Sequence, residues 1–258
     1  MSIYLIIALV ATVFGIYIAV LARFSSLRKK QQIKTHTNKH IRTDDDEDDE
    51  AATTYNEKII AFSYGAIPSI LQREAFNEMV PLQGTDKSYY GLKRHWKITS
   101  KAQARLVLDK LFDMSASRHV DTLIESGSVK KLEKTYESIS KLLSIPTQDV
   151  ALVTSTFAYD LSRAIEVSKW CFWNDYLTES EMFEYIFKIS NTARQLGKDW
   201  EEYSISYLLG LTLDTPSPEE LDECQIVVKN LLTGKSWDYT GMYIPALYTH
   251  VHFNSNED

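Results

Sequence analysis

Asp160 and Arg163 stand three residues apart in a segment whose apolar positions recur at helical spacing. On a helix that separation places a carboxylate beside a guanidinium. Two chemistries follow. With Glu166 or Glu201 close by, the pair forms a charged pocket in which burial and neighbouring charge tune a carboxylate for acid–base work. Alternatively it is an ion pair that fixes how helices pack. His250 and His252 are separated by one residue, so in an extended segment both would face one way. Two ligands without a cysteine or carboxylate companion fall short of a tetrahedral zinc site. Trp96, Trp170, Trp173, Trp200 and Trp237 could line a groove. Large aromatics in a helical domain more commonly build the core. Glu181 and Glu184 share a helix face, but Glu181 reads as part of a helix cap.

No GxSxG, HExxH, P-loop or GxGxxG pattern occurs. No catalytic residue, metal ligand or cofactor is therefore assigned. Cys171 and Cys224 lie far apart with no metal-ligand spacing, which fits buried apolar side chains in a reducing compartment.

The elements that must position these residues are read from capping and breaking signals. Apolar spacing predicts a helix over Tyr55–Ile67, broken or kinked at Pro68, and a second piece over Ser69–Met79. Leu82–His95 is ambiguous, with turn signals at Gly84 and Gly91. Ser100 with Gln103 forms a capping-box pattern opening a helix with Ala104, Val107, Leu108, Leu111 and Phe112 on one face. Ser128–Leu143 is the next, stopped by Pro146. The most apolar helix is predicted to start at Thr147 and run to about Phe172, before a turn at Asn174, Asp175 and Tyr176. Thr178 with Glu181 opens Glu179–Leu196, and Gly197 suits a C′ position. Asp199 with Glu202 opens a helix to about Leu213, and Ser217, Pro218 and Glu220 open one that ends at Gly234. The tail, Trp237–Phe253, is aromatic and irregular and reads as an extended strap. The expectation is an all-α domain of about eight helices over residues 55–258, without a fixed-period repeat.

The chain before it has a different character. Ile3–Ala22 is twenty residues without a charge, about the length a helix needs to cross a hydrocarbon core of roughly 30 Å. Seven basic residues follow between Arg23 and Arg42, and none precedes the run. That asymmetry predicts a single-pass transmembrane helix over 3–22 with the bulk of the chain cytoplasmic. A cleaved signal peptide would need a basic n-region, a shorter apolar stretch and a small-residue cleavage site, which this segment lacks. Residues 23–54 read as a disordered linker, basic and then acidic, with seven consecutive acids from Asp44 to Glu50. The two charge runs cancel, so residues 51–258 carry the whole net charge of −7, with 21 basic and 28 acidic side chains. An acidic domain is a poor partner for a phosphate backbone, so no nucleic-acid binding is expected. The basic segment beside the span fits anionic lipid headgroups.

Particular residues of the helical part resemble the bacterial DUF1266 family, a domain of unknown function. Asp160 and Arg163 stand in its YDxxR pattern, with Trp170 further along the same helix. Tyr176, Leu177, Thr178 and Glu181 match at the next helix start, followed by Trp200, Glu201 and Glu202 and then Tyr207 to Gly210. Upstream, Leu92 to Ser100 is similar to an element of the family with a tryptophan at Trp96. The resemblance covers roughly residues 90–213. It marks Asp160, Arg163, Trp170, Tyr176, Trp200, Glu201 and Tyr207 as candidate binding residues and implies a bacterial origin. Lys97 stands where the family usually has glycine, and Leu211 where arginine is common. The functional expectation is a protein-interaction module at the inner bacterial membrane, in a scaffold or immunity-like role. The alternative is an enzyme on a small or lipid-derived substrate, with a charged pocket around Asp160 and Arg163.

Overall fold

The computed structural model describes residues 55–77, 79, 86–128, 132–214, 216–234 and 246–254. The predicted membrane span and linker lie outside them. Among the described residues there is no strand, and none of the helices is long and apolar enough to cross a membrane. The all-α expectation holds. Eight helices is too few, because some predicted helices are split and short ones intervene.

The first break shows why. Residues 55–63 form helix α1 and Ala66–Leu71 form α2. The break falls at Tyr64 and Gly65, so Pro68 lies inside α2 and does not divide the pieces. Proline has no N–H to give the carbonyl four residues earlier. That carbonyl is Tyr64's, and it accepts instead from Ser162 Oγ at 2.5 Å and from the Tyr203 hydroxyl at 2.6 Å. Gly65 lets the chain approach closely, since a Cβ there would stand 2.5 Å from Ile165 Cγ2. The second piece ends at Leu71, short of the predicted Met79.

Helix α3 (Asp86–Gly91) continues into a π-helical turn, Leu92–Trp96. Lys97 then adopts a left-handed conformation (φ 57), a region that glycine enters more readily than a residue with a Cβ. Helix α4 (Lys101–Phe112) starts at Ser100 as expected, but its box is not reciprocal. Gln103 accepts from the backbone N–H and hydroxyl of Thr99, one residue further back. Helices α5 (Ser115–Glu125) and α6 (Leu132–Leu143) follow.

The long helix predicted from Thr147 is two. A single turn, α7 (Thr147–Val150), is separated by residues 151–156 from α8 (Phe157–Trp173). Asp121 on α5 sets the break: its carboxylate accepts from the Thr156 N–H at 2.7 Å and from the hydroxyls of Ser155 and Thr156 at 2.7 and 2.9 Å. The side chain that stops and restarts the helix comes from more than thirty residues upstream, where no local pattern reveals it.

Helix α8 is the axis of the domain. Of its residues only Arg163 and Phe172 are not buried. Around it pack α2, α4, α5, α9 (Glu179–Leu196) and α10 (Trp200–Leu213). The Thr178 and Glu181 capping box is present in both directions. Gly197 is extended, with φ −110, and is small for a different reason than capping. A Cβ there would stand 2.9 Å from Phe157 Cζ and 3.1 Å from Phe253 Cζ. Asp199 caps α10 as predicted, while Glu202 accepts from the Lys198 N–H and not from Asp199. Helix α11 (Pro218–Thr233) has the full Ser217 and Glu220 box, proline at N1 and left-handed Gly234 (φ 60). The described part of the tail is a turn, α12 (Leu247–His250), whose Tyr248 lies on Trp200, followed by residues that bring Phe253 to the same ring.

Candidate functional site

Asp160 sits in the first turn of α8 and is 1 % exposed. One carboxylate oxygen accepts from Arg163 at 2.8 Å. The other accepts from the Ser117 backbone N–H at 2.9 Å. Ser117 lies in the first turn of α5, whose own N-cap, Met114, has no side chain to satisfy those donors. Asp160 thus caps a neighbouring helix. The Ser117 hydroxyl returns the contact by donating to the Thr156 carbonyl at 2.8 Å.

Arg163 extends from this corner across two aromatic faces. Its guanidinium lies 3.9 Å from the Tyr159 ring centroid and 5.4 Å from that of Trp96, a cation–π arrangement. A second nitrogen is 3.8 Å from the exposed carboxylate of Asp214. Tyr159 donates to that same carboxylate at 2.7 Å. Burial, and the carboxylate it donates to, push the Tyr159 phenol well above its ordinary range, so it holds its proton at neutral pH. Tyr207, buried, meets Tyr159 edge to face at 5.4 Å. Gly210 makes room for this cluster, since a Cβ there would stand 2.5 Å from Tyr159 Cβ. Leu211 is half-buried and packs on the core. The cluster can hold a charge in place.

The other candidates are elsewhere. Trp170 belongs to the far end of α8, where its indole N–H donates to the Glu74 carboxylate at 2.9 Å and its ring covers Gly91. Tyr176 is half-buried in the turn after α8, its N–H bonded to the Cys171 carbonyl. Trp200 stacks flat on Tyr248, centroids 4.1 Å apart, and donates to the Val251 carbonyl at 2.6 Å. Glu201 is exposed in the first turn of α10, where a carboxylate complements the helix dipole. Asp160, Arg163 and Tyr207 are brought together; the remaining four are distributed over two other regions.

Sequence reasoning missed Lys169. It is fully buried on α8, donating to Ser69 Oγ at 3.2 Å and to the carbonyls of Ala75 and Phe76 at 3.0 and 3.1 Å. With Trp173 donating to the Met79 carbonyl, it holds the segment after α2 in a non-helical path. The signal was available: an ammonium flanked by Val167, Trp170 and Cys171 must find buried acceptors.

One open hollow, about 330 Å³, lies between α4 and α9 and is lined by Arg105, Asp109, Glu181, Glu184, Tyr185 and Lys188. None of the seven candidates lines it. A second, about 250 Å³, includes Trp200, Tyr248, His250 and His252. Both histidines are exposed, and among the described residues no group of three or more His, Cys, Asp or Glu could hold a metal.

The fold and this corner define an all-helical domain organised around one buried helix with a charged first turn. The family model described as "Protein of unknown function (DUF1266)" matches residues 91–239, more than half of the chain, so the protein belongs to that family. No curated protein and no solved structure matches the chain.

Proposed function

We propose that the protein is a membrane-tethered helical interaction module that faces the bacterial cytoplasm. Residues 3–22 would be the anchor, and the DUF1266 domain would be held near the inner membrane to engage a protein partner. One observation carries the choice of binding over catalysis. The charged candidates Asp160 and Arg163 are committed to a helix end, to each other and to aromatic faces, and the seven candidates do not converge on one cleft. An enzyme built around that pair would need an open pocket holding them together. A single anchor with a tether of about 30 residues keeps a domain within roughly 30 Å of the bilayer, where weak contacts gain from high effective concentration.

The test is purification of the tagged full-length protein from its own membranes in mild detergent, with quantitative mass spectrometry of what accompanies it. A partner enriched near stoichiometry is the expected result. Absence of any enriched protein across detergents overturns the binding reading. Release of the chain by alkaline carbonate overturns the anchor.

A further inference from the structure

Residues 87–108 contain six basic side chains and no carboxylate, in a domain where acids exceed bases by seven. The π-helical turn organises this stretch. Leu92 and Ile98 are fully buried and linked by a hydrogen bond from the Ile98 N–H to the Leu92 carbonyl, which pins both ends to the core. Lys93, Arg94 and His95 between them are exposed, as is Lys97. The Lys97 ammonium donates to the Arg94 carbonyl at 2.8 Å, and the Lys93 ammonium lies 5.9 Å from the Tyr89 ring. Tyr89 in turn meets Tyr90 edge to face at 5.8 Å. These contacts tie the residues into one patch.

Four features mark it as a docking face. Lys101 and Arg105 share the one carboxylate of Glu181, whereas among the described residues no carboxylate forms an ion pair with Lys93, Arg94 or Lys97. Tyr90 is 66 % exposed, and tyrosine with a polar tip on an apolar ring is the side chain of membrane interfaces. Lys97 occupies a left-handed position that favours glycine, so backbone strain is accepted where an ammonium is added. π-helical turns of this kind recur at functional sites.

We propose that the face formed by Tyr89, Tyr90, Lys93, Arg94 and Lys97 docks on the anionic lipid headgroups of the membrane that anchors the chain. This rests on the tethered reading above. Tethering supplies the proximity, and clustered cations acting within a Debye length of an anionic leaflet supply the attraction. The acidic remainder of the domain is repelled by the same surface, which orients the domain with this patch towards the membrane. A nucleic acid would meet that acidic remainder along its length, whereas a planar membrane meets one face.

The test uses the full-length protein bearing Tyr90→Cys, labelled with a polarity-sensitive dye; Cys171 and Cys224 are buried and stay unlabelled. The labelled chain is placed in vesicles of phosphatidylcholine alone or with added phosphatidylserine. The expected result is a blue-shifted dye, quenched by spin-labelled lipid, only in the anionic vesicles and reversed by high salt. Lys93→Gln, Arg94→Gln and Lys97→Gln together should weaken this docking by about tenfold or more. A dye that stays aqueous in anionic vesicles, or docking unchanged in the triple variant, overturns the proposal. The tethered reading fails separately, by loss of the protein from both vesicle types on carbonate washing. Dye docking that requires added protein extract and not anionic lipid would assign the face to a protein partner and overturn the lipid proposal.

Discussion

The hydroxyl of Tyr203 on α10 donates to the carbonyl of Tyr64 at 2.6 Å, supplying the bond that Pro68 cannot make. Both tyrosines are fully buried, and Tyr64 also contacts Trp200, Tyr203 and Phe253 through its ring. The helix break, a proline four residues on, and a hydroxyl from a distant helix are thus one device.

Tyr203→Phe leaves the Tyr64 carbonyl with Ser162 as its donor and should destabilise the protein by about 1–2 kcal/mol. Pro68→Ala restores an N–H that could reach the same carbonyl if the chain straightened. The two changes should therefore be non-additive, with Pro68→Ala less harmful in the Tyr203→Phe background than alone. Urea unfolding of the four proteins in a double-mutant cycle measures the coupling, and strict additivity would contradict this account.

Asp160→Ala removes both the cap on α5 and the partner of Arg163. A loss of about 3–5 kcal/mol is expected, as for other broken buried pairs. Asp160→Asn keeps an acceptor for the Ser117 N–H and should cost about half as much. Arg163→Gln should cost least, because the Asp160 cap on α5 survives and the Gln amide, three residues along the helix, can still donate to that carboxylate. Thermal unfolding followed by tryptophan fluorescence ranks the three. An Arg163→Gln protein less stable than Asp160→Ala would show that the guanidinium, and not the cap, organises the corner.

How much of this could be read in the sequence depends on the range of each interaction. The Thr178 and Ser217 caps were legible because donor and acceptor are three residues apart on one helix. The Asp160 and Arg163 pair was legible for the same reason. The break before Phe157 was not, because Asp121 makes it from another helix. Nor was the second partner of Asp160, since nothing near Ser117 announces a helix without its own cap. Gly197 was legible as a special position but with the wrong cause, because the ring of Phe253 that excludes a Cβ arrives from the far end of the chain.

Glycine positions separate crowding from backbone strain. Gly210 has an ordinary helical backbone but no room: a Cβ would sit 2.5 Å from Tyr159 Cβ, which belongs to the stem of a side chain on the central helix and cannot swing away. Gly127 is left-handed (φ +67) with nothing within 4 Å. Gly210→Ala should therefore lose about 1–3 kcal/mol through overpacking. Gly127→Ala should lose about 1 kcal/mol through the left-handed backbone alone. Equal losses in denaturant midpoints would mean that the interface of α8 and α10 yields more than its packing implies.

Glu181 provides a handle on acid stability. It closes the Thr178 capping box and receives Lys101 and Arg105 from α4, at 3.0 and 2.5 Å. The Thr178 backbone N–H, then Arg105 and Lys101, hold its carboxyl down to about 2 from an ordinary value of 4.5. Between those two values the unfolded chain binds a proton that the folded chain refuses, so stability rises with pH across the window. The contribution is complete above about 4.5 and disappears as the pH falls to about 2. Glu181→Gln keeps an oxygen for the cap but loses the charge. Its deficit against wild type should be full at neutral pH, shrink from about pH 4.5 downward, and vanish near pH 2. Because the group is partly open to solvent, added salt should also reduce the deficit at neutral pH. Urea midpoints of both proteins across this range test the linkage, and a deficit independent of pH would mean that Glu181 acts through shape alone.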